Sequence, residues 1–163
     1  MSMFKKIAFL LVLGFVMQAS SLYKVPASVN YKCMIQMMNY TGERAYVVVS
    51  LVDADGAYVK TLYVQGDDDE WYPDIKKWFA FEEKAKENLD AITGATIGNG
   101  QRNVISISLD ESYMDSGYTI RFESAVENQE YYTVDAEVPL KTATIKNKVE
   151  GKGYIRHIRM MPF

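Results

Sequence analysis

One cysteine, one histidine and four prolines stand among 163 residues, and each scarcity closes off a class of chemistry. A lone Cys33 cannot make an intramolecular disulfide, so this chain has to be held by its apolar core. The thiol sits in Tyr31-Lys32-Cys33-Met34-Ile35-Gln36-Met37, where Tyr31, Cys33, Ile35 and Met37 alternate onto one strand face. That pattern implies a buried, inert cysteine. With His157 alone, no zinc cluster and no serine-histidine-acid set can be assembled. Positive charge is also short, at 18 Lys and Arg against 21 Asp and Glu, a formal net charge of −3. Loss of Lys5 and Lys6 with a leader would take it to about −5. Arg156, His157 and Arg159 form only a short basic patch, and no basic stripe with interleaved aromatics occurs, so nucleic acid is not an expected partner.

A long hydrophobic run is missing as well. The apolar stretch from Ile7 to Met17 falls short of the about 20 residues that span a bilayer. Lys5 and Lys6 precede it and Ala19, Ser20 and Ser21 follow it, the layout of a secretory signal peptide over residues 1–21. Cleavage after Ser21 would leave residues 22–163 as a single domain, periplasmic or otherwise extracytoplasmic. At 48% hydrophobic and 13% aromatic residues, the chain has the composition of a folded protein.

What is present is mostly strand. Ala45 to Val52 and Tyr58 to Val64 flank Asp53-Ala54-Asp55-Gly56, whose Asp-Gly step favours a hairpin turn. Val104 to Leu109 alternates, as do Tyr118 to Val126 and Tyr132 to Val138, which set Thr119, Arg121, Glu123, Asp135 and Glu137 on solvent faces. Further strands are expected near Val29 to Met38 and Tyr154 to Met160, with Thr142 to Gly153 as a loose hairpin or loop. Between the third and fourth strands, Trp71, Ile75, Trp78 and Phe79 recur at helical spacing, predicting a helix from about Pro73 to Asn88 that packs on the sheet. The expected fold is mainly β: an immunoglobulin-like antiparallel β-sandwich with one inserted α-helix.

The segment Asp90-Ala91-Ile92-Thr93-Gly94-Ala95-Thr96-Ile97-Gly98-Asn99-Gly100 has a different character, with two hydroxyls beside small residues that let another molecule approach the backbone. A structural alternative is that its glycines turn the chain and its threonines cap free amides. Asp90 to Thr96 resembles the Asp-x-x-(Ser/Thr)-Gly-Ala-Thr acceptor motif of proteins that carry FMN covalently. In those proteins a flavin transferase joins the FMN phosphate to the final threonine. The resemblance makes Thr96 the acceptor, with Asp90, Thr93, Gly94 and Ala95 as the recognised surface.

Three further blocks, Tyr46 to Leu62, Trp71 to Trp78 and Gly117-Tyr118 to Glu127, make most of the chain similar to a family of small bacterial predicted periplasmic proteins. That family is labelled a domain of unknown function and sometimes named after the flagellar hook-capping protein. Its members are often encoded near flavin transferases and membrane reductase-like proteins, which the resemblance offers as partners.

The expectation is therefore an exported redox module with covalent FMN on a loop threonine, an electron carrier or accessory protein more than a stand-alone enzyme. Trp71, Tyr72 and Trp78 are aromatics that could meet a flavin ring, with Trp78, on the helix's apolar stripe, expected in the core instead, and Arg102 is the cation nearest Thr96 in sequence. The alternative is a non-enzymatic immunoglobulin-like binding module without flavin.

Overall fold

The structure is a computed structural model and describes residues 27–163; the expected signal peptide at 1–21 lies outside them. Strands β1 (Ser28–Met37), β2 (Tyr46–Val52), β3 (Tyr58–Gln65), β4 (Thr93–Gly94), β5 (Arg102–Asp110), β6 (Thr119–Ala125), β7 (Tyr131–Pro139), β8 (Val149–Glu150) and β9 (Ile155–Pro162) form two sheets. Their orders are β5-β1-β9-β8 and β4-β3-β2-β6-β7. Every pairing is antiparallel except that of β3 with β4.

Alternation explains how the sheets meet. Tyr31, Cys33, Ile35 and Met37 of β1 and Ile105, Ile107 and Leu109 of β5 face Val47, Val49, Leu51, Ile120 and Phe122 of the other sheet in one core. Each such buried side chain contributes about 1.5–3 kcal/mol over its exposed state. Cys33 is fully buried as its strand pattern implied, and burial pushes its thiol up to about 12. The hairpin turn also forms: the Asp53 side chain accepts from the Asp55 and Ala57 amides at 3.0 and 2.9 Å, and Gly56 adopts φ +80°.

The strand order departs from the immunoglobulin arrangement, in which the second and third strands lie in different sheets. Here β2 and β3 are a hairpin within one sheet, and β1 lies between β5 and β9 in the other. The fold is mainly β with two packed sheets. Alternation fixes which face of a strand is buried, but does not choose its neighbour.

The inserted helical segment divides in two. A 3-10 turn, Asp69–Asp74, is capped by Asp68, whose side chain accepts from the Glu70 amide at 3.1 Å; the α-helix α1 then runs only over Lys76–Ala85. It stops where Lys86 takes a left-handed conformation, φ 49°. The tighter turn changes which aromatic faces inward. Tyr72, Ile75 and Trp78, spaced by three, are buried against the outer face of the β2-β3-β6 sheet with Val48, Val64 and Ala125, whereas Trp71 is 37% exposed. Trp71 is thus not an anchor, contrary to the helical spacing. Trp78 is; its indole N–H donates to Thr61 Oγ1 at 2.9 Å, and its ring meets Tyr72 edge-on at 5.1 Å.

Two solvent-face assignments are overturned, one by this third layer and one by a bulge. Glu123 is fully buried under α1, with the Tyr58 hydroxyl donating to it at 2.6 Å and the Tyr131 hydroxyl donating to its other oxygen. Desolvation raises its pKa above the ordinary glutamate value. Asp135 is turned inward by a register shift between β6 and β7. Its carboxyl accepts from the Lys152, Gly153 and Ile155 amides at 2.9, 2.8 and 2.9 Å and from the Ser124 hydroxyl. Those bonds tie the Thr142 to Gly153 segment, expected as a loose hairpin or loop, to the sheet.

Candidate functional site

The glycine- and threonine-rich loop crosses from one sheet to the other at an edge of the sandwich. After α1, a short 3-10 turn at Asp90–Ile92 leads into β4, which adds two residues beside β3. The chain then bridges to the start of β2, where Ala45 and Ile97 exchange backbone hydrogen bonds of 2.8 and 3.1 Å, and turns into β5. Gly94 sits at a close approach. A Cβ there would come within 2.1 Å of the Tyr63 hydroxyl, so the β4 backbone lies against that phenol.

The two threonines differ in what their hydroxyls do. Thr93 is partly buried and its hydroxyl donates to the Leu89 carbonyl at 2.8 Å, a local structural bond. Thr96 is partly exposed, and its hydroxyl has no hydrogen-bond partner among the described residues. Its backbone is fixed instead. Arg44, from the β1–β2 connection, donates to the Thr96 carbonyl through Nε at 3.1 Å and through a terminal nitrogen at 2.7 Å. The same guanidinium reaches Gln101 Oε1 at 3.2 Å, and Gln101 Oε1 also accepts from the Gly98 amide at 2.9 Å. Ala95, between the threonines, is exposed.

Two clefts meet at Thr96. One, of about 190 Å³, is lined by Arg44, Tyr46, Trp71, Ile75, Val126 and Thr96, with the carboxyls of Glu43, Asp74 and Glu127 also in its lining. The exposed Trp71 supplies an aromatic wall. Beside it the Tyr46 hydroxyl donates to the Asp68 carbonyl at 3.2 Å, and burial, reinforced by Asp68 and Asp67, pushes its pKa up to about 12, so the phenol is neutral at physiological pH. The other cleft is polar, between Tyr63 and Gln65 of one sheet and Arg102 and Asn103 of the other, and Arg44, Ala95 and Thr96 line it too. Arg102 does border the Thr96 surroundings, while its Nε donates to Gln36 Oε1 at 3.0 Å.

The two ends of the motif separate in space. Asp90 is exposed and, with Thr93, lines a third cleft together with Asp67, Asp69 and Glu87. Gly94 and Ala95 lie between the two ends. Of the aromatics named from sequence, Trp71 reaches Thr96's cleft, whereas Tyr72 borders the Asp90–Thr93 cleft and Trp78 is fully buried.

Arg44 was not legible as a site residue. Its bond to Thr96 spans 52 positions, and in Tyr40-Thr41-Gly42-Glu43-Arg44 it follows no periodicity. His157 lies apart from the loop, beside Glu150 on the β8–β9 pairing. Among the described residues no three His, Cys, Asp or Glu side chains are arranged to hold a metal ion, and no helix is long and apolar enough to cross a membrane.

A family model described as a predicted periplasmic protein, DUF2271, matches residues 28–157. No curated protein and no solved structure matches the chain.

Proposed function

The chain belongs to the DUF2271 family of predicted periplasmic proteins, and on that footing we propose that it is an exported electron carrier whose FMN is esterified through phosphate to Thr96. The observation that carries this is the Thr96 hydroxyl itself: partly exposed, without a hydrogen-bond partner among the described residues, on a backbone held by Arg44. A tethered acceptor needs a reachable hydroxyl on a fixed support, and Thr93, committed to the Leu89 carbonyl, lacks the first of these.

Some of the surrounding residues suit such a group, while Glu43, Asp74 and Glu127 in the Trp71 cleft oppose a phosphate. Arg44 and Arg102 are cations beside Thr96 able to offset phosphate charge, and Trp71 offers an aromatic face to a planar ring. FMN, when bound, supplies the electron chemistry; the chain tethers and presents it. At about 190 Å³ the Trp71 cleft is smaller than the roughly 300–1,000 Å³ of sites that enclose a ligand, so a ring resting there stays open to a partner. A flavin transferase would install the group, and a membrane reductase-like protein is the partner this reading calls for. The separation of Asp90 from the Thr96 cleft supports a role for Asp90 in what the transferase recognises more than in holding the cofactor.

Co-expression with an active flavin transferase should add the mass of one FMN less one water and give a fluorescent band after denaturation. Thr96→Ala should abolish both with the fold intact, and Thr93→Ala should retain labelling. Persistent absence of an adduct on wild-type protein, with a known acceptor labelled in parallel, would reject the carrier. It would favour a non-enzymatic binding module using the Trp71 cleft.

A further inference from the structure

The two sheets differ on their outer faces. One lies under α1, while the outer face of β5-β1-β9 carries no layer among the described residues. Because Tyr31, Cys33 and Ile35 point inward, Lys32 and Met34 point out, and the same alternation exposes Arg102 and Val104 on β5 and Arg159 and Met161 on β9. Register gathers them: Met34 lies opposite Val104 on one side and Arg159 on the other, and Lys32 lies between Ser106 and Met161. Val104 is 49% and Met161 38% exposed, and the Lys32 ammonium stands 4.6 Å from the centre of the exposed Phe163 ring.

The charge on this side is of one sign across its middle. His157 adjoins it, and its pKa is lowered first by burial and then by Lys148, with Arg102 and Arg156 acting the same way and Glu150 opposing them. The Arg156, His157 and Arg159 patch of the sequence is thus one part of a wider basic surface that Lys32 and Arg102 complete. Carboxyls stand at the margins, Asp110 at the end of β5 and Glu150 on β8, the latter paired with Lys148 at 2.5 Å. In a chain of formal net charge −3, such a surface is a local inversion.

We propose that this sheet face docks on an anionic lipid surface. Long cationic side chains that keep their heads in the headgroup layer, interleaved with exposed methionine, valine and phenylalanine, combine the two attractions that hold interfacial proteins to membranes. The mix of cations and apolar side chains on the face favours lipid over protein. Protein hot spots seat anchors in pockets, and none of the three clefts described above is lined by Lys32, Met34, Val104, Arg159 or Met161. The proposal is independent of the flavin; Arg102 alone is shared with the clefts at Thr96.

Protein recovered after export is to be sedimented with vesicles of phosphatidylcholine alone or containing phosphatidylglycerol, at low and high salt. Binding is expected only to the phosphatidylglycerol vesicles and is lost at high salt. Each cation near an anionic surface is worth about fivefold in affinity, so Lys32→Ser with Arg159→Ser should weaken binding roughly thirty-fold. Both positions are exposed, and an unchanged far-UV spectrum and denaturation midpoint will show that the double variant is folded. Equal binding to both vesicle types, no binding to either, or undiminished binding by the double variant overturns the proposal. Retention on immobilised polyglutamate without vesicle binding overturns it too, in favour of an acidic protein partner.

Discussion

Trp78→Ala tests the layer on which the threonine loop rests. The ring is fully buried between α1 and the outer sheet face, so truncation leaves a cavity that the sheet side cannot close, a loss of about 3–5 kcal/mol. It also removes the 2.9 Å bond to Thr61, whose hydroxyl is itself buried, adding about 1 kcal/mol and placing the total near the top of that range. Against the roughly 5–15 kcal/mol that holds a domain folded, this is a third or more. At a urea slope of about 2 kcal/mol/M the midpoint should fall by about 2 M. The assay is urea denaturation followed by far-UV circular dichroism, because with only two tryptophans each variant alters the fluorescence baseline. Trp71→Ala is the paired control. Its ring, 37% exposed and outside the buried cluster, should cost distinctly less than that of Trp78, although the sequence places both rings on one helical stripe. A Trp78→Ala midpoint within about 0.5 M of wild type, or an equal fall in Trp71→Ala, would refute the burial argument.

Burial raises the Glu123 pKa, so the folded chain keeps a proton that the unfolded chain has already released. The stability from this group is complete below the unfolded value of about 4.3 and is lost as pH rises through the raised native value. Glu123→Gln keeps the shape and should remove this dependence, so its midpoint should gain on wild type as pH rises from about 4; a constant difference would contradict the raised pKa. Gly94→Ala should force the half-buried Tyr63 side chain or β4 to shift, because the new methyl would come within 2.1 Å of the Tyr63 hydroxyl, and should lower stability by at most about 1–3 kcal/mol. Tyr63→Phe in the same chain should restore part of the loss, and a double variant no better than the single one would mean that the phenol is not the obstacle.

The sequence by itself determined the strands and their inward residues, because a period of two is written into each of them: Tyr31-Cys33-Ile35-Met37 and Ile105-Ile107-Leu109 are buried as read. It also determined the Asp53 turn, whose bonds are local. The run Val47-Val48-Val49-Ser50-Leu51-Val52 is buried throughout because the structure covers β2 on both faces, with the other sheet on one side and α1 on the other. Tertiary structure decided the rest. Which strands became neighbours beyond the β2–β3 hairpin, the burial of Glu123 under α1, the inward turn of Asp135 and the meeting of Arg44 with Thr96 all depend on contacts between distant segments. Periodicity states which face of an element is apolar; it carries no information about what will be laid on the polar face, and here a helix, a bulge and one arginine made that choice.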